Sequence, residues 1–345
     1  LGVRPILGYA PQPLRDELLP VLARGRELAS FAMTEPGAGA DLGGISALAV
    51  ADPQGGWRLR GVKRWNGSAW AGVINVFVRL QDPAANLSGL TGFVVRQGAP
   101  GLRMGPESLT MGLRGIMQNA LYLEDVPVGP RHVLGQLGKG IEPADDALFF
   151  ARLGTGIVGL GGMQRCAQLM LRYASRRSVA TGRLLDNPVT LARFSDLTAS
   201  ITVMEIVVGL ITQLLDTGHA VPREVAMLIK IAGSEFLWRA ADDLVQLLGG
   251  RGYMENNLAP QILRDARVLR IGEGPNESLN AFVGRNVVHT DTLQQFLHTH
   301  LGAAKLADQL NATAQQVQDR CAGAHALFAD RAAALTWAYA LTGEV

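Results

Sequence analysis

Cysteine is almost absent from this 345-residue sequence, which holds only Cys166 and Cys321. Two thiols build neither a disulfide framework nor a cysteine zinc site, so a cytoplasmic setting is the default expectation. Charge of one sign is missing too. With 32 Lys+Arg against 30 Asp+Glu, a net charge of +2 and 18% charged residues, there is no basic excess of the kind phosphate backbones require, and nucleic acid is excluded as the expected partner. A hydrophobic share of 48% likewise excludes a disordered chain. No charge-free apolar run reaches the roughly 18 residues of a membrane span. The opening stretch LGVRPILGYAPQPLRDELL has no charged head leading into an apolar core, so neither a leader nor integral membrane insertion is expected. The six histidines are scattered apart from His298 and His300; that pair on a polar helix reads as solvated surface, and no metal is expected.

Glycine is in surplus. The 41 glycines make about 12% of the chain against a typical ~7%, so many backbone positions need tight turns or close approach, as cofactor proteins do. The segment Leu14 to Leu28 predicts one amphipathic helix. From Ile45 to Leu123 short β-type runs (ISALAV, GWRLRGVKRW, VINVFVRL, GFVVRQ, ALYLEDV) alternate with Gly, Pro, Asn and Asp turns, the pattern of an antiparallel β domain. Past the Pro/Gly-rich connector 125–140 the periodicity turns helical, over about 143–174, 189–217, 222–248 and 275–289. Residues 206–215 (IVVGLITQLL) are apolar nearly all round, predicting a helix buried in a bundle or at a subunit interface, with the core helix as the simpler reading. Further helices are expected over roughly 291–311, 312–330 and 331–342.

Four motifs carry chemistry. Phe31–Asp41 (FAMTEPGAGAD) is a Pro/Gly loop whose backbone N–H groups could meet an anionic or carbonyl-rich cofactor. The run 61–68 (GVKRWNGS) puts an aromatic residue before a polar turn. Gln246–Tyr253 (QLLGGRGY) closes a helix with glycine. Arg264–Arg267 leads to 271–277 (IGEGPNE), where Glu273 stands between two glycines at a helix start; an N-capping carboxylate is the plain alternative for it.

In this order and spacing the four motifs, from about residue 12 to 289, resemble the acyl-CoA dehydrogenase family of flavoproteins. The resemblance implies an α+β fold: residues 1–30 ending an N-terminal helical domain, a middle antiparallel β domain over 31–140, a C-terminal four-helix bundle over 141–289 and a helical extension over 290–345. It implies FAD held between the middle and helical domains and against a neighbouring subunit, hence a homo-oligomer, dimer or tetramer. Phe31, Met33 and Thr34 would contact the isoalloxazine ring or its edge, and Trp65 would cover its face. Gln246, Gly249 and Gly250 would meet the adenosine diphosphate half of a partner's FAD, Arg177 or Arg176 the pyrophosphate, and Glu277 also falls on the cofactor side. Glu273 matches the family's catalytic base, which removes the α-proton of a thioester while the β-hydrogen leaves as hydride. Arg152, read as starting the first bundle helix, matches an arginine near the acyl or CoA end of the substrate, against a plain surface arginine. Ala40, Gly272 and Gly274 complete the substrate side.

The implied activity is α,β-dehydrogenation of an acyl thioester on coenzyme A or a carrier protein, with an electron-transfer partner or oxygen as acceptor. The rivals are flavin oxidase or monooxygenase chemistry on the same fold, and a catalytically quiet docking subunit. Several positions depart from the family pattern. Most of an N-terminal helical domain is not in this sequence, Ala40 replaces a serine, and Pro275 replaces a threonine. Gly67 stands where a hydroxyl residue contacts the flavin, so Ser68 or a backbone N–H is expected to substitute. Gly272 replaces a bulky aromatic, which suggests a wider pocket for branched or functionalised acyl groups. The extra tail after His289 reads as a dimer-covering, partner-docking or stabilising element.

Overall fold

The computed structural model describes residues 1–82 and 87–321. The chain divides into two compact units, Leu1–Ala151 and Arg152–Val345.

The first unit opens with helices α1 (Val3–Tyr9) and α2 (Gln12–Ala23). The single helix expected over Leu14–Leu28 therefore starts earlier and stops sooner: Gly25 takes φ +65°, a left-handed turn that ends the helix five residues short of β1. Eight strands follow: β1 (Ala29–Ala32), β2 (Leu48–Ala51), β3 (Trp57–Gly67), β4 (Val73–Asp82), β5 (Leu87–Arg96), β6 (Leu102–Glu107), β7 (Gln118–Val128) and β8 (Val133–Leu134). They form one sheet in the order β6-β7-β3-β2-β4-β5-β8, with β1 also on β4. The expected purely antiparallel domain needs one correction, because β1 and β2 both run parallel to β4 and the sheet is mixed.

Strand β4 shows why. Every residue from Val73 to Val78 is buried rather than every second one, the pattern of a strand covered on both faces. Ile74, Val76, Val78 and Leu80 point into one core with Leu59, Phe93, Leu121 and Val126. Val73 and Phe77 point the other way, onto Ile6, Leu14 and Leu18 of the two helices. The buried Asn75 amide donates to the carbonyls of Gly2 (2.6 Å) and Ser30 (3.0 Å), tying α1 and β1 to the same strand.

In the second unit the expected helices appear as α3 (Ile141–Ala174, entering from the first unit), α4 (Pro188–Asp216), α5 (Arg223–Leu248) and α7 (Asn276–His289). Between the last two lies α6 (Leu258–Leu269), which was expected only as a motif; Asn257 caps it by accepting from the Ala259 amide. Helices α3 and α5 cross at glycine: a Cβ on Gly159 would lie 2.4 Å from the Gly233 carbonyl oxygen, and one on Gly156 2.4 Å from Ile229. Alanine normally gains about 1 kcal/mol over glycine inside a helix. At Gly159 the clash reverses the sign, and Gly159→Ala should lose ~1–3 kcal/mol in urea unfolding; a stabilised variant would contradict this packing.

Helix α4 overturns the expectation of a buried core helix. Only Thr190, Leu197, Met204 and Ile211, spaced by seven, are buried, while Val203 (51%) and Ile206 (62%) stand exposed. The apolar character runs round the whole helix, but one face alone meets the bundle. With Glu205 as its one interruption over 198–215, α4 is also long and apolar enough to cross a membrane by length and composition, which counting charge-free runs misses.

After His289 the structure has α8 (Thr292–Thr299) and α9 (Ala304–Cys321). The helix expected over 291–311 is split where Gly302 adopts φ +60°, and α9 runs through the break expected at 311. The expectations for 322–345 lie outside the described residues. No cluster of three or more metal-binding side chains occurs among the described residues.

Candidate active site

The second unit brings Arg152, Gly272, Glu273 and Gly274 together. Helix α6 ends at Leu269 and α7 starts at Asn276, and in the turn between them Glu273 (φ +59°) and Gly274 (φ +99°) are both left-handed. Glycine takes that conformation freely; glutamate pays ~1 kcal/mol or more for it, so the surroundings must hold it there. Arg152 Nε donates to the Glu273 carbonyl at 3.0 Å. Lys230 Nζ donates to the Gly274 carbonyl at 2.7 Å and to Asn276 Oδ1 at 2.6 Å. The Asn276 amide nitrogen in turn donates to Ser234 Oγ (2.9 Å) and Glu235 Oε1 (2.7 Å), and Arg270 Nε donates to that same Glu235 oxygen (2.8 Å).

Burial pushes the Glu273 carboxyl above the ordinary carboxylate range, against the opposing pull of the Arg152 and Lys230 cations. Burial also brings the Lys230 ammonium down to about 8, opposed by the charge of Glu273 and reinforced by Arg152. The capping alternative for Glu273 fails, because the N-cap of α7 is Pro275. Arg152 is not at a helix start either. It lies eleven residues into α3 and is 7% exposed, which removes the surface-arginine alternative. A Cβ on Gly272 would meet only the Val268 carbonyl, at 3.6 Å, so that position has room for a side chain, whereas a Cβ on Gly274 would press Leu279 at 3.0 Å.

The remaining positions of this unit lie apart from the turn. Gln246 is exposed near the end of α5, and Gly249 ends that helix at φ +58°, with open space beside Gly249 and Gly250. Eleven residues of helix separate Gln246 from Glu235, about 16 Å. Arg177 is exposed on the turn after α3, whose last residue, Ala174, lies about 33 Å along the helix axis from Arg152. Glu277 is exposed in the first turn of α7.

In the first unit the pairing of β3 with β7 slips between Lys63 and Asn66. This bulge carries Trp65 at φ +55° and leaves the residue 55% exposed. Ser68 is left-handed as well, at φ +56°, and its N–H donates to the Met117 carbonyl at 2.9 Å, so that amide is already engaged. Phe31 packs on Phe77 with ring centroids 4.8 Å apart, Met33 is buried, and the Thr34 carbonyl accepts from the Arg64 amide at 2.9 Å. Ala40 is exposed on the glycine loop.

Two groups escaped the sequence reading. Lys63 Nζ, fully buried, donates to Glu35 Oε1 (2.7 Å) and to the Met33 carbonyl (2.9 Å), while Glu35 also accepts from the Ser46 amide and hydroxyl and the Ala47 amide. Burial opposes the Glu35 charge, yet Lys63 and the Ser46 donors outweigh it and keep the carboxyl below its usual range. The second is Lys230. A lone lysine within the apolar stretch MLIKIAG was the available signal, since an unpaired lysine is rarely buried.

The family model of the acyl-CoA dehydrogenase middle domain matches residues 30–126, and that of the C-terminal domain matches 138–288. The chain is 30% identical over 289 residues to the very long-chain specific acyl-CoA dehydrogenase of Macaca fascicularis, covering 82% of this chain but 44% of that protein. It is 31% identical over 286 residues to the acryloyl-CoA reductase (NADH) of Anaerotignum propionicum, covering 82% and 72%. The crystal structure of a Bacillus anthracis acyl-CoA dehydrogenase complexed with FAD shares the fold, with a TM-score of 0.84 at 23% identity over 99% of this chain and 66% of that one. The chain thus spans less than half the length of the long-chain relative, yet both of the family's matched domains are present in order. This protein belongs to the acyl-CoA dehydrogenase family.

Proposed function

We propose that this chain oxidises an acyl thioester to its α,β-enoyl thioester, with Glu273 as the base that takes the α-proton. The observation that carries the reading is the carboxyl itself: half-buried, raised above its ordinary range, and held on a left-handed turn between two buried cations. A base needs such a pKa to be ionised at working pH and still basic enough for a weakly acidic α-carbon. The carbonyls of Glu273 and Gly274 are turned onto Arg152 and Lys230, which fixes the backbone from which the carboxyl projects.

The residues present fit FAD. An indole face held out to solvent by a strained bulge suits a flat apolar ring, and the open glycines after α5 suit close approach of a dinucleotide. Phe31, Met33, Thr34, Trp65 and the Ser68 hydroxyl would serve the ring side, Arg177 the pyrophosphate, Gln246, Gly249 and Gly250 the adenosine diphosphate half of a neighbour's FAD, and Glu277 would also serve the cofactor. The chemistry FAD supplies is acceptance of a hydride. Glu273 takes the proton in the oxidative direction and returns it in the reverse one, the sense in which the acryloyl-CoA reductase relative is named. The reading includes assembly with further copies of this chain: Val189, Leu191, Val203 and Ile206 leave α4 with an uncovered apolar surface, and the positions after α5 would serve a neighbour's cofactor.

An absorbance spectrum of the purified protein, followed by anaerobic addition of acyl-CoA and acyl-carrier thioesters, tests the reading. Bleaching of a flavin band by one thioester class supports it and identifies the carrier. A protein without flavin favours the docking role, and a flavin that no thioester reduces favours oxygen chemistry. Space at Gly272 sets the acyl preference. Gly272→Tyr should lower kcat/KM for branched acyl thioesters ~10–100-fold while sparing short straight chains; full retention of branched-substrate activity would remove this role for Gly272.

A further inference from the structure

Lys230, two turns into α5, is one of the largest fully buried side chains among the described residues, with 0% exposure. A buried ammonium is costly unless its protons are satisfied and its charge is used. The Lys230 ammonium donates to the Gly274 carbonyl and to Asn276 Oδ1, which hold the turn carrying Glu273 from its C-terminal side. Arg152 holds the same turn one residue earlier, through the Glu273 carbonyl. Asn276 is itself locked, since its side-chain nitrogen is shared between Ser234 and Glu235, and its backbone N–H reaches the Arg270 carbonyl at 3.1 Å.

We infer that Lys230 is a positioning residue for the proton transfer: from inside α5 it anchors the carbonyl after the base and the first residue of α7, and so fixes where the Glu273 carboxyl sits. The inference rests on Glu273 being the base. Without Lys230 the Gly274 carbonyl and Asn276 Oδ1 lose a charged donor in a buried site, and the left-handed turn loses one of the two cations that oppose its relaxation. The cation also favours the ionised carboxyl. Around it the charged groups are Arg152 on α3, Glu235 on α5, Arg270 at the end of α6, Glu273 in the turn and Glu277 on α7. Removing Lys230 takes away one of the positive charges that favour the ionised Glu273 carboxyl, so the carboxyl rises further.

The test is the pH dependence of kcat/KM for the holoenzyme with its best thioester, in wild type, Lys230→Met, Lys230→Gln and Lys230→Arg. The expected result is a kcat lower by ~10–100-fold in the Met and Gln variants, a KM within about threefold of wild type, an acid limb moved up by about one pH unit, and substantial recovery of both in Lys230→Arg. If Lys230→Met does not fold, Lys230→Gln, which keeps an N–H donor, gives the same readouts. A folded Met or Gln variant with wild-type kcat and acid limb overturns the inference. So does a loss of activity that follows melting temperature alone, with the acid limb unmoved. If wild type oxidises no thioester, or Glu273→Gln is fully active, the functional reading falls and takes this inference with it, whereas retained Glu273 dependence beside an indifferent Lys230 removes the inference alone.

Discussion

Glu273→Gln should lower kcat for thioester oxidation by about 10³-fold or more, the upper part of the range that a positioned general base contributes. The amide keeps the size of the carboxyl and can occupy the same left-handed turn, whose anchors act on backbone carbonyls and on Asn276 rather than on the Glu273 side chain. Substrate binding should therefore survive, with KM changed little, which marks an interaction made only in the transition state. The wild-type pH profile gives the sign check. Burial raises the Glu273 carboxyl above its ordinary value of 4.5, so the active ionised form is lost on descending through a pH above that value. A residual rate in Glu273→Gln should lack this acid limb. Wild-type kcat in the variant would remove Glu273 from the chemistry.

Lys63→Met should cost the first unit ~3–5 kcal/mol, the penalty for leaving one partner of a buried ion pair uncompensated. Lys63 and Glu35 are 0% and 3% exposed, with nitrogen and oxygen 2.7 Å apart. The pair binds β3 to the loop that carries Met33 and Thr34, so its loss should also loosen the surface around Trp65. Glu35 is held below its ordinary value of 4.5. A depressed carboxyl adds stability above that ordinary value and loses it as pH falls through the folded one. In Lys63→Met the buried carboxylate has no cation and burial favours its protonated form, so the deficit should be largest near neutral pH and shrink as pH falls and the carboxyl takes up a proton. Urea unfolding at several pH values reads this directly, and a neutral-pH change under 1 kcal/mol would show that Glu35 finds solvent or another partner.

What could be read from sequence followed from how local each signal is. The long helices were legible because their apolar stripes repeat within a few residues, and so were the strands that Gly, Pro and Asn turns delimit. Helix α6 was not, because Arg264–Arg267 drew attention as a motif and hid the apolar face of LAPQILRDARVL. The all-round apolar run of α4 showed that the helix avoids water without showing what covers it, and one face stays uncovered among the described residues. Mixed strand direction was out of reach, since the partners of β4 come from β1 and β2, far back along the chain. Glu273 was legible through its motif. Arg152 was legible as a site residue but not as a support of this turn, and Lys230 was not legible at all, because the two reach the carbonyls of Glu273 and Gly274 across 121 and 44 residues, and only packing brings such groups together.

The most direct measurement is the product itself. Purified holoenzyme incubated with the thioester that bleaches it should yield, by mass spectrometry, a thioester lighter by two hydrogens with its new double bond between the α and β carbons, while Glu273→Gln under the same conditions yields almost none. An oxygenated product, or an enoyl product formed as fast by the variant, would contradict the account.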